Sequence, residues 1–411
     1  MRLPIMMILL SYLLLILTDL YIIKDLKKLS VVKKLKNESE GKKLWWKIYA
    51  GFSILILIVL TIAISLPRRN ASEDISGIMW LLFTVTTVIT SQIFYVIFSV
   101  LGRIPQIFKG RRINTGLWLG LPCGIIVFIA MWWGALVGRK QIEIVDVSIT
   151  SPKLPKAFEG YKIAQISDLH VGTWGNDSTF LSRLVDSVNN QQPDLIIFTG
   201  DLVNRQAAEL QPFMPTLSRL KAKDGVLSIL GNHDYGDYVS WNSKNEKDDN
   251  LNKLRTMQGE MGWKLLENEH LKIGKENGDS IVIIGVSNWG EPPFTKYGDL
   301  KKAYPESELN DSNFKILLSH NPEHWNQEVS HISNIDITFA GHTHAMQMML
   351  KLGSWKWSLS SLKYDQWGGL YTRKNKRGED TSIYVNIGAG EVGFPMRIGA
   401  NPEITIITLE R

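Results

Sequence analysis

The chain has 411 residues, a formal net charge of +6 and a single cysteine. That length exceeds one ordinary domain, so two or more modules are expected. The charge does not point to nucleic acid, because it is concentrated in two short stretches. Residues 24–47 hold nine lysines against Asp25, Glu38 and Glu40, and Arg103, Lys109, Arg111 and Arg112 follow with no acid among them. From residue 139 onward 30 basic residues face 34 acidic ones, so this part is slightly acidic and no nucleic-acid partner is expected.

Four segments near the start, Leu3 to Ile23, Ile48 to Leu66, Ile78 to Leu101 and Gly116 to Gly138, are nearly free of charge, Asp19 being the exception. About 20 apolar residues match the roughly 30 Å hydrocarbon layer, so residues 1–140 read as a four-helix anchor in a lipid bilayer. Both basic stretches then fall on one face. Short lysine- and arginine-rich loops stay cytoplasmic, which puts the rest of the chain in the periplasm or at the cell exterior, with a bacterial cytoplasmic membrane the expected home. Cys123 lies within the fourth segment, so an exported domain has no intrachain disulfide to rely on.

From Ile142 onward the pattern changes to short β-branched runs. Strands are expected at Ile142 to Ile149, Lys162 to Ser167, Asp194 to Thr199, Gly225 to Leu230, Ile281 to Val286, Phe314 to Ser319, Ile335 to Ala340, Ile383 to Ile387 and Ile404 to Leu409. Phe180, Leu181, Leu184, Val185 and Val188 recur at helical spacing behind Asp177, Ser178 and Thr179 as caps, which gives a βαβ unit and predicts an α/β sandwich over residues 141–411. The polar stretches Tyr235 to Glu260 and Arg373 to Thr381 read as exposed loops.

Five groups of potential ligands each follow one of these strands: Asp168 with His170, Gly200-Asp201, Gly231-Asn232-His233-Asp234, His320, and Gly341-His342-Thr343-His344. Ligand sites in α/β sheets gather at the carboxyl ends of strands, so these separated residues can converge on one pocket. A single Asp-x-His or Gly-Asp is weak on its own; the set in one order is not. Oxygen and imidazole donors without thiolate suit Mn, Fe or Zn and do not choose among them.

The set resembles the calcineurin-like metallophosphoesterase superfamily, whose pattern is D-x-H, G-D, G-N-H-D or G-N-H-E, H and G-H-x-H. Ser167-Asp168-Leu169-His170, Gly341 to His344 and the closing Arg397 to Ile404 look like its membrane-associated bacterial branch. Where many of that branch read G-H-T-H-G-G-Q, this chain has Ala345-Met346-Gln347. The resemblance implies a four-layer αββα sandwich after the four transmembrane helices. It also implies two divalent metal ions, one held by Asp168, His170, Asp201 and His344, the other by Asp201, Asn232, His320 and His342, with Asp201 shared. Such a pair can acidify a shared water and neutralise phosphoryl oxygens during in-line attack on a phosphate mono- or diester.

In that frame His233 stabilises the transition state or protonates the departing oxygen, with Asp234 orienting it and raising its pKa. Arg397 is a candidate phosphate clamp or, equally, a member of a structural ion pair; the aromatic-rich Trp355 to Tyr371, with Tyr364 and Trp367, reads as a wall of the substrate pocket, a rim dipping toward lipid, or plain packing. A tether beside the bilayer favours a lipid or envelope-linked phosphorylated substrate. The alternative is a non-catalytic metal-binding sensor or scaffold of the envelope, whose signature would be lost ligands; all seven are present.

Overall fold

The computed structural model describes residues 5–27, 39–67, 70, 75–292, 295–305, 312–332, 334–376 and 378–411. Residues 28–38 of the lysine-rich stretch lie outside the described residues. The chain divides into two units, one of Met1–Leu136 with Gly393–Met396 and one of Val137–Val392 with Arg397–Arg411.

Among its described residues the first unit has four long helices, α1 (Ile5–Leu26), α2 (Ser39–Ser65), α3 (Ser76–Leu101) and α4 (Leu121–Leu136). Among the described residues three stretches are long and apolar enough to cross a membrane: Trp46–Ser65, Ser76–Ile107 and Gly116–Lys140. Their Leu, Ile and Phe side chains are widely exposed, while polar groups turn inward. Asp19 accepts from Tyr49 (2.7 Å) and Gln92 (2.8 Å), and Asp25 from Arg103 and Arg112 (2.6 Å each). The two Asp19 bonds join α1 to α2 and α3, which lipid alone would not hold together.

The second unit is built on two six-stranded sheets. The first, in order β1-β14-β2-β3-β4-β5, uses Glu143–Thr150, Glu403–Glu410, Lys162–Ile166, Leu195–Phe198, Val226–Ser228 and Trp263–Leu265. The second, in order β12-β13-β9-β8-β7-β6, uses Gly369–Lys374, Asp380–Val385, Ile337–Ala340, Phe314–Leu318, Ser280–Gly285 and Glu269–Gly274. β2, β3 and β4 run parallel to one another, as do β7, β8 and β9. These central strands are buried on both faces, which is why they read as continuous apolar runs rather than alternating ones.

Between the sheets, Ile163, Leu195, Ile197 and Leu227 pack against Ile283, Phe314, Ile316 and Phe339. On the outer face of the first sheet, Ala164, Ile196 and Phe198 meet Phe180, Leu181, Leu184, Val185 and Val188 of α5 (Thr179–Asn190), whose spacing gives one apolar stripe. The outer face of the second sheet is covered by Leu300, Tyr304, Trp325 and Val329. The result is the four-layer α/β/β/α sandwich.

Residues 235–260 are not the exposed loop that their polarity suggests. Most form α6 (Lys244–Glu260), capped by Ser243, whose hydroxyl accepts from the Glu246 N–H at 3.1 Å. Only Leu254, Met257 and Gln258 are buried along it, so the apolar pattern was too thin to show. The ends of the stretch 373–381 likewise belong to strands, with Arg373 paired to Thr381 and Lys374 to Asp380. A separate two-stranded ribbon, β10 (Met349–Leu352) with β11 (Trp355–Ser358), follows the last histidine motif.

Candidate metal centre

Each expected ligand sits just past the carboxyl end of a parallel strand: Asp168 and His170 after β2, Asp201 after β3, Asn232 after β4, His320 after β8 and His342 and His344 after β9. The loops are stitched across the sheet ends by main-chain bonds. The Asp168 N–H donates to the Gly200 carbonyl (2.9 Å) and the Gly341 N–H to the His320 carbonyl (3.0 Å). Gln165 reaches from the first sheet to the Ala340 carbonyl of the second (2.8 Å).

Two glycines are there because nothing larger fits. A Cβ on Gly231 would stand 2.2 Å from Asp201 Oδ1, and one on Gly341 would stand 2.1 Å from Ser167 Oγ and 2.3 Å from Asp168 Oδ2. Asp168, His170, Asp201, His342 and His344 all hold left-handed backbone with φ between 42° and 75°, a strained state that turns their side chains back over the strand ends.

The donors converge in overlapping groups. Asp168, His170 and His344 form one trio, and Asp201, His320 and His342 another. His344 Nε2 lies 3.2 Å from Asp168 Oδ1 and 3.1 Å from His170 Nε2. His320 Nε2 lies 3.2 Å from Asp201 Oδ2, from Asn232 Oδ1 and from His342 Nδ1. Asp201 Oδ2 is also 3.5 Å from His170 Nε2, so it faces both groups.

The hydrogen-bond chemistry of the second group fits a cation. His320 Nδ1 sits 2.8 Å from the Thr199 carbonyl, which can only accept, so Nδ1 carries a proton and Nε2 is the ring atom that faces the other donors. The Asn232 amide nitrogen donates to Tyr238 (2.8 Å), which turns Oδ1 inward too. An imidazole nitrogen, an amide oxygen and a carboxylate oxygen then face one another, an arrangement that a divalent ion would satisfy by taking the place of the proton on Nε2.

Electrostatics follow the same pattern. Burial opposes charge on His320, yet Asp201 and Asp168 outweigh it and push its pKa up to about 9. Burial and the neighbouring His320 hold His342 down at about 3. Desolvation disfavours the Asp201 carboxylate, but His320 and His233 overcome it and hold its pKa well below the usual range.

Around these groups lies a cleft of about 270 Å³ whose lining includes His233, Tyr238, Asn288, Glu291, Asn321, Met346, Lys363 and Tyr364. His233 stacks on Tyr238 at 4.3 Å, and its Nδ1 is 2.7 Å from the Asn204 carbonyl. Its orienting partner is therefore that carbonyl and not Asp234. The Asp234 carboxylate is wholly buried and accepts from the backbone N–H groups of Asp201, Leu202, Val203 and Gly231 at 2.9–3.1 Å, tying two ligand loops together. Burial and the nearby Asp201 charge raise its own pKa to about 7.

Arg397 is not a phosphate clamp. It is fully buried, with Nε 2.9 Å from the Gly390 carbonyl, Nη1 2.9 Å from Ala400 and Nη2 2.6 Å from Gly390 and 3.1 Å from Ile387. With both Nη2 hydrogens used, its 3.2 Å approach to His344 Nδ1 is a packing contact behind the ligand. Tyr364 does reach the cleft, its hydroxyl 3.0 Å from His342 Nε2. Trp367 does not line it; its carbonyl accepts from Thr343 and its ring packs beside Ala345, Met349 and Ile387. Asn204 and Tyr238 had no motif to mark them, since one acts through its carbonyl and the other lies in the stretch read as an exposed loop.

Comparison with known proteins gives a consistent picture. Residues 161–346 match the family described as Calcineurin-like phosphoesterase, and residues 1–139 match that described as Probable Calcineurin-like phosphoesterase, transmembrane domain. The chain is 30% identical over 274 residues to the uncharacterized metallophosphoesterase YkuE of Bacillus subtilis, covering 66% of this chain and 86% of that one. It is 29% identical to the transmembrane protein with metallophosphoesterase domain of Danio rerio, over 77% of this chain and 70% of the other. Against the UDP-2,3-diacylglucosamine pyrophosphatase LpxG of Chlamydia trachomatis it is 26% identical, over 72% of this chain and 98% of that one.

Proposed function

The chain belongs to the calcineurin-like metallophosphoesterases, and from that premise we propose a membrane-anchored, metal-dependent hydrolase of phosphate mono- or diesters. In this reading residues 1–140 anchor and residues 141–411 act. The observation that carries it is the meeting of seven donors from five strand ends in two groups that share Asp201.

Asp168, His170, Asp201 and His344 would hold one divalent ion, and Asp201, Asn232, His320 and His342 the second. Bound there, Mn, Fe or Zn would supply Lewis acidity that lowers the pKa of water and offsets charge on phosphoryl oxygens. The chain's own groups do the remainder. The Asn204 carbonyl engages His233 Nδ1, leaving Nε2 as the ring atom free to pass a proton to the departing oxygen. The His233 N–H donates to Asp201 Oδ1 (2.8 Å), which fixes the carboxylate between the two groups. Asp234 holds the two loops in register from below.

For substrate we favour an amphiphilic ester, a lipid or a lipid-linked phosphate. Support comes from the membrane helices, from a cleft that places Lys363 beside Met346 and Tyr364, and from the likeness along nearly the whole length of the Chlamydia enzyme named for a diacylated nucleotide sugar. We place the catalytic unit outside the cytoplasm, since the arginine-rich residues 103–112 precede the last apolar stretch, Gly116–Lys140.

Purified full-length protein supplied with Mn or Zn should cleave aryl phosphate esters, and Asp201→Asn should lower kcat at least about 100-fold. No turnover with any mono- or diester would refute the enzyme reading. A C-terminal fusion to a reporter active only after export should be active; activity confined to a cytoplasmic reporter would reverse the topology.

A further inference from the structure

The β10–β11 ribbon has a feature that the site does not use. In its antiparallel register Leu350 pairs with Trp357 and Leu352 with Trp355, while Lys351 pairs with Lys356. Directly opposed residues share a face, so Leu350, Leu352, Trp355 and Trp357 form one wholly apolar side, with the two lysines on the other. That apolar side is open: Leu352 is 72% exposed, and Leu350, Trp355 and Trp357 are also exposed. Leu362, four residues past the ribbon, is 77% exposed as well.

A two-stranded ribbon is marginal alone and does not ordinarily leave its apolar face in water. This one is anchored at its base, where Met349 and Ser358 are buried and the Ser358 hydroxyl donates to the Ala345 carbonyl at 2.5 Å. Its face is therefore a held surface and not a loose end. Between Met346 and Lys363 there are three lysines and no acidic residue. Lys351 is matched by Glu143 at 2.8 Å; Lys356 and Lys363 are exposed beside the apolar groups.

We infer that this ribbon inserts into the interfacial layer of the bilayer in which the chain is anchored, with Leu352, Trp355 and Leu362 below the headgroups and Lys356 and Lys363 against anionic phosphates. Exposed Leu and Trp flanked by exposed lysine are the chemistry of an interfacial anchor. Met346 and Lys363, which flank the ribbon in sequence, are exposed and line the cleft, so the chain that carries the ribbon also carries the wall of the site. The insertion rests on membrane anchoring and stands whether or not the ester is a lipid.

The test uses the full chain in nanodiscs of phosphatidylethanolamine and phosphatidylglycerol. In a Cys123→Ala background, Leu352→Cys and Leu362→Cys are labelled separately with an environment-sensitive fluorophore, and Asn245→Cys on α6 serves as the aqueous control. Insertion predicts blue-shifted emission at both positions and at least about two-fold quenching by lipids spin-labelled near the headgroup, with the control unchanged. Replacing phosphatidylglycerol by phosphatidylcholine should weaken the quenching. Water-like emission at both positions, equal to the control, would overturn the proposal. So would shielding that persists without lipid quenching and accompanies a Leu352→Cys disulfide between two copies, since the occupant would then be a second chain.

Discussion

Replacing Arg397 by Met tests whether this side chain is a frame member or a ligand for phosphate. The guanidinium serves three buried carbonyls, those of Gly390, Ala400 and Ile387. Leaving each without a donor costs about 1–3 kcal/mol, or about 3–9 kcal/mol together. Against this stands the cost of burying the charge, since desolvation lowers the Arg397 pKa to about 10, a shift worth about 3 kcal/mol. The difference leaves a loss of a few kcal/mol, for which about 3 kcal/mol is a fair centre. For a domain of this size that lowers the melting temperature by roughly 6–12 °C. Because His344 packs against the same guanidinium, metal affinity should fall with it. The assay is thermal unfolding of the full chain in detergent, followed by kinetics on a soluble aryl phosphate. An unchanged melting temperature with a raised KM would refute the structural assignment and restore the clamp.

Burial raises Glu209 to about 7 although the Asn204 and Arg205 N–H groups both donate to it. The folded state therefore binds the Glu209 proton between about pH 4.3 and 7 while the unfolded state has lost it, so this group's contribution falls as pH rises through that window, by about 3 kcal/mol in all. Melting temperatures at pH 5 and pH 8 should differ less in Glu209→Gln than in the parent. Ala345, Met346 and Gln347 hold φ of 48°, 44° and 58°, so Met346→Gly should relieve about 1–2 kcal/mol of strain, less about 0.5–1 kcal/mol of chain entropy. A raised melting temperature by calorimetry is the expected result. His233→Gln should lower kcat about 100-fold or more for alkyl esters and far less for nitrophenyl esters, whose leaving group needs no proton; equal losses would remove His233 from proton transfer.

Much of the sandwich was legible because its central strands are buried on both faces, so that Ile163, Ile196, Ile316 and Phe339 stand in plain apolar runs. The ligands were legible for a related reason, each standing two to four residues past such a run. What stayed hidden acts through the main chain or through sparse burial. The Asp234 carboxylate and the Asn204 carbonyl serve the centre through backbone bonds, which side-chain spacing does not encode. Arg397 looked like a clamp because an arginine beside a metal motif has two equally common uses, and only its zero exposure separates them. α6 buries so little apolar surface, and β10–β11 exposes so much, that neither follows the usual patterning of its element.

The central claim is that seven residues form one two-ion centre with Asp201 shared between its halves. Elemental analysis of the full-length protein after dialysis against Mn or Zn, read alongside Asp201→Asn and His320→Ala, tests it most directly. The account predicts two ions per chain in the parent, about one or fewer in Asp201→Asn and about one in His320→Ala, with esterase activity lost in both. Two tightly held ions in Asp201→Asn, or a parent that hydrolyses esters with no metal bound, would contradict it.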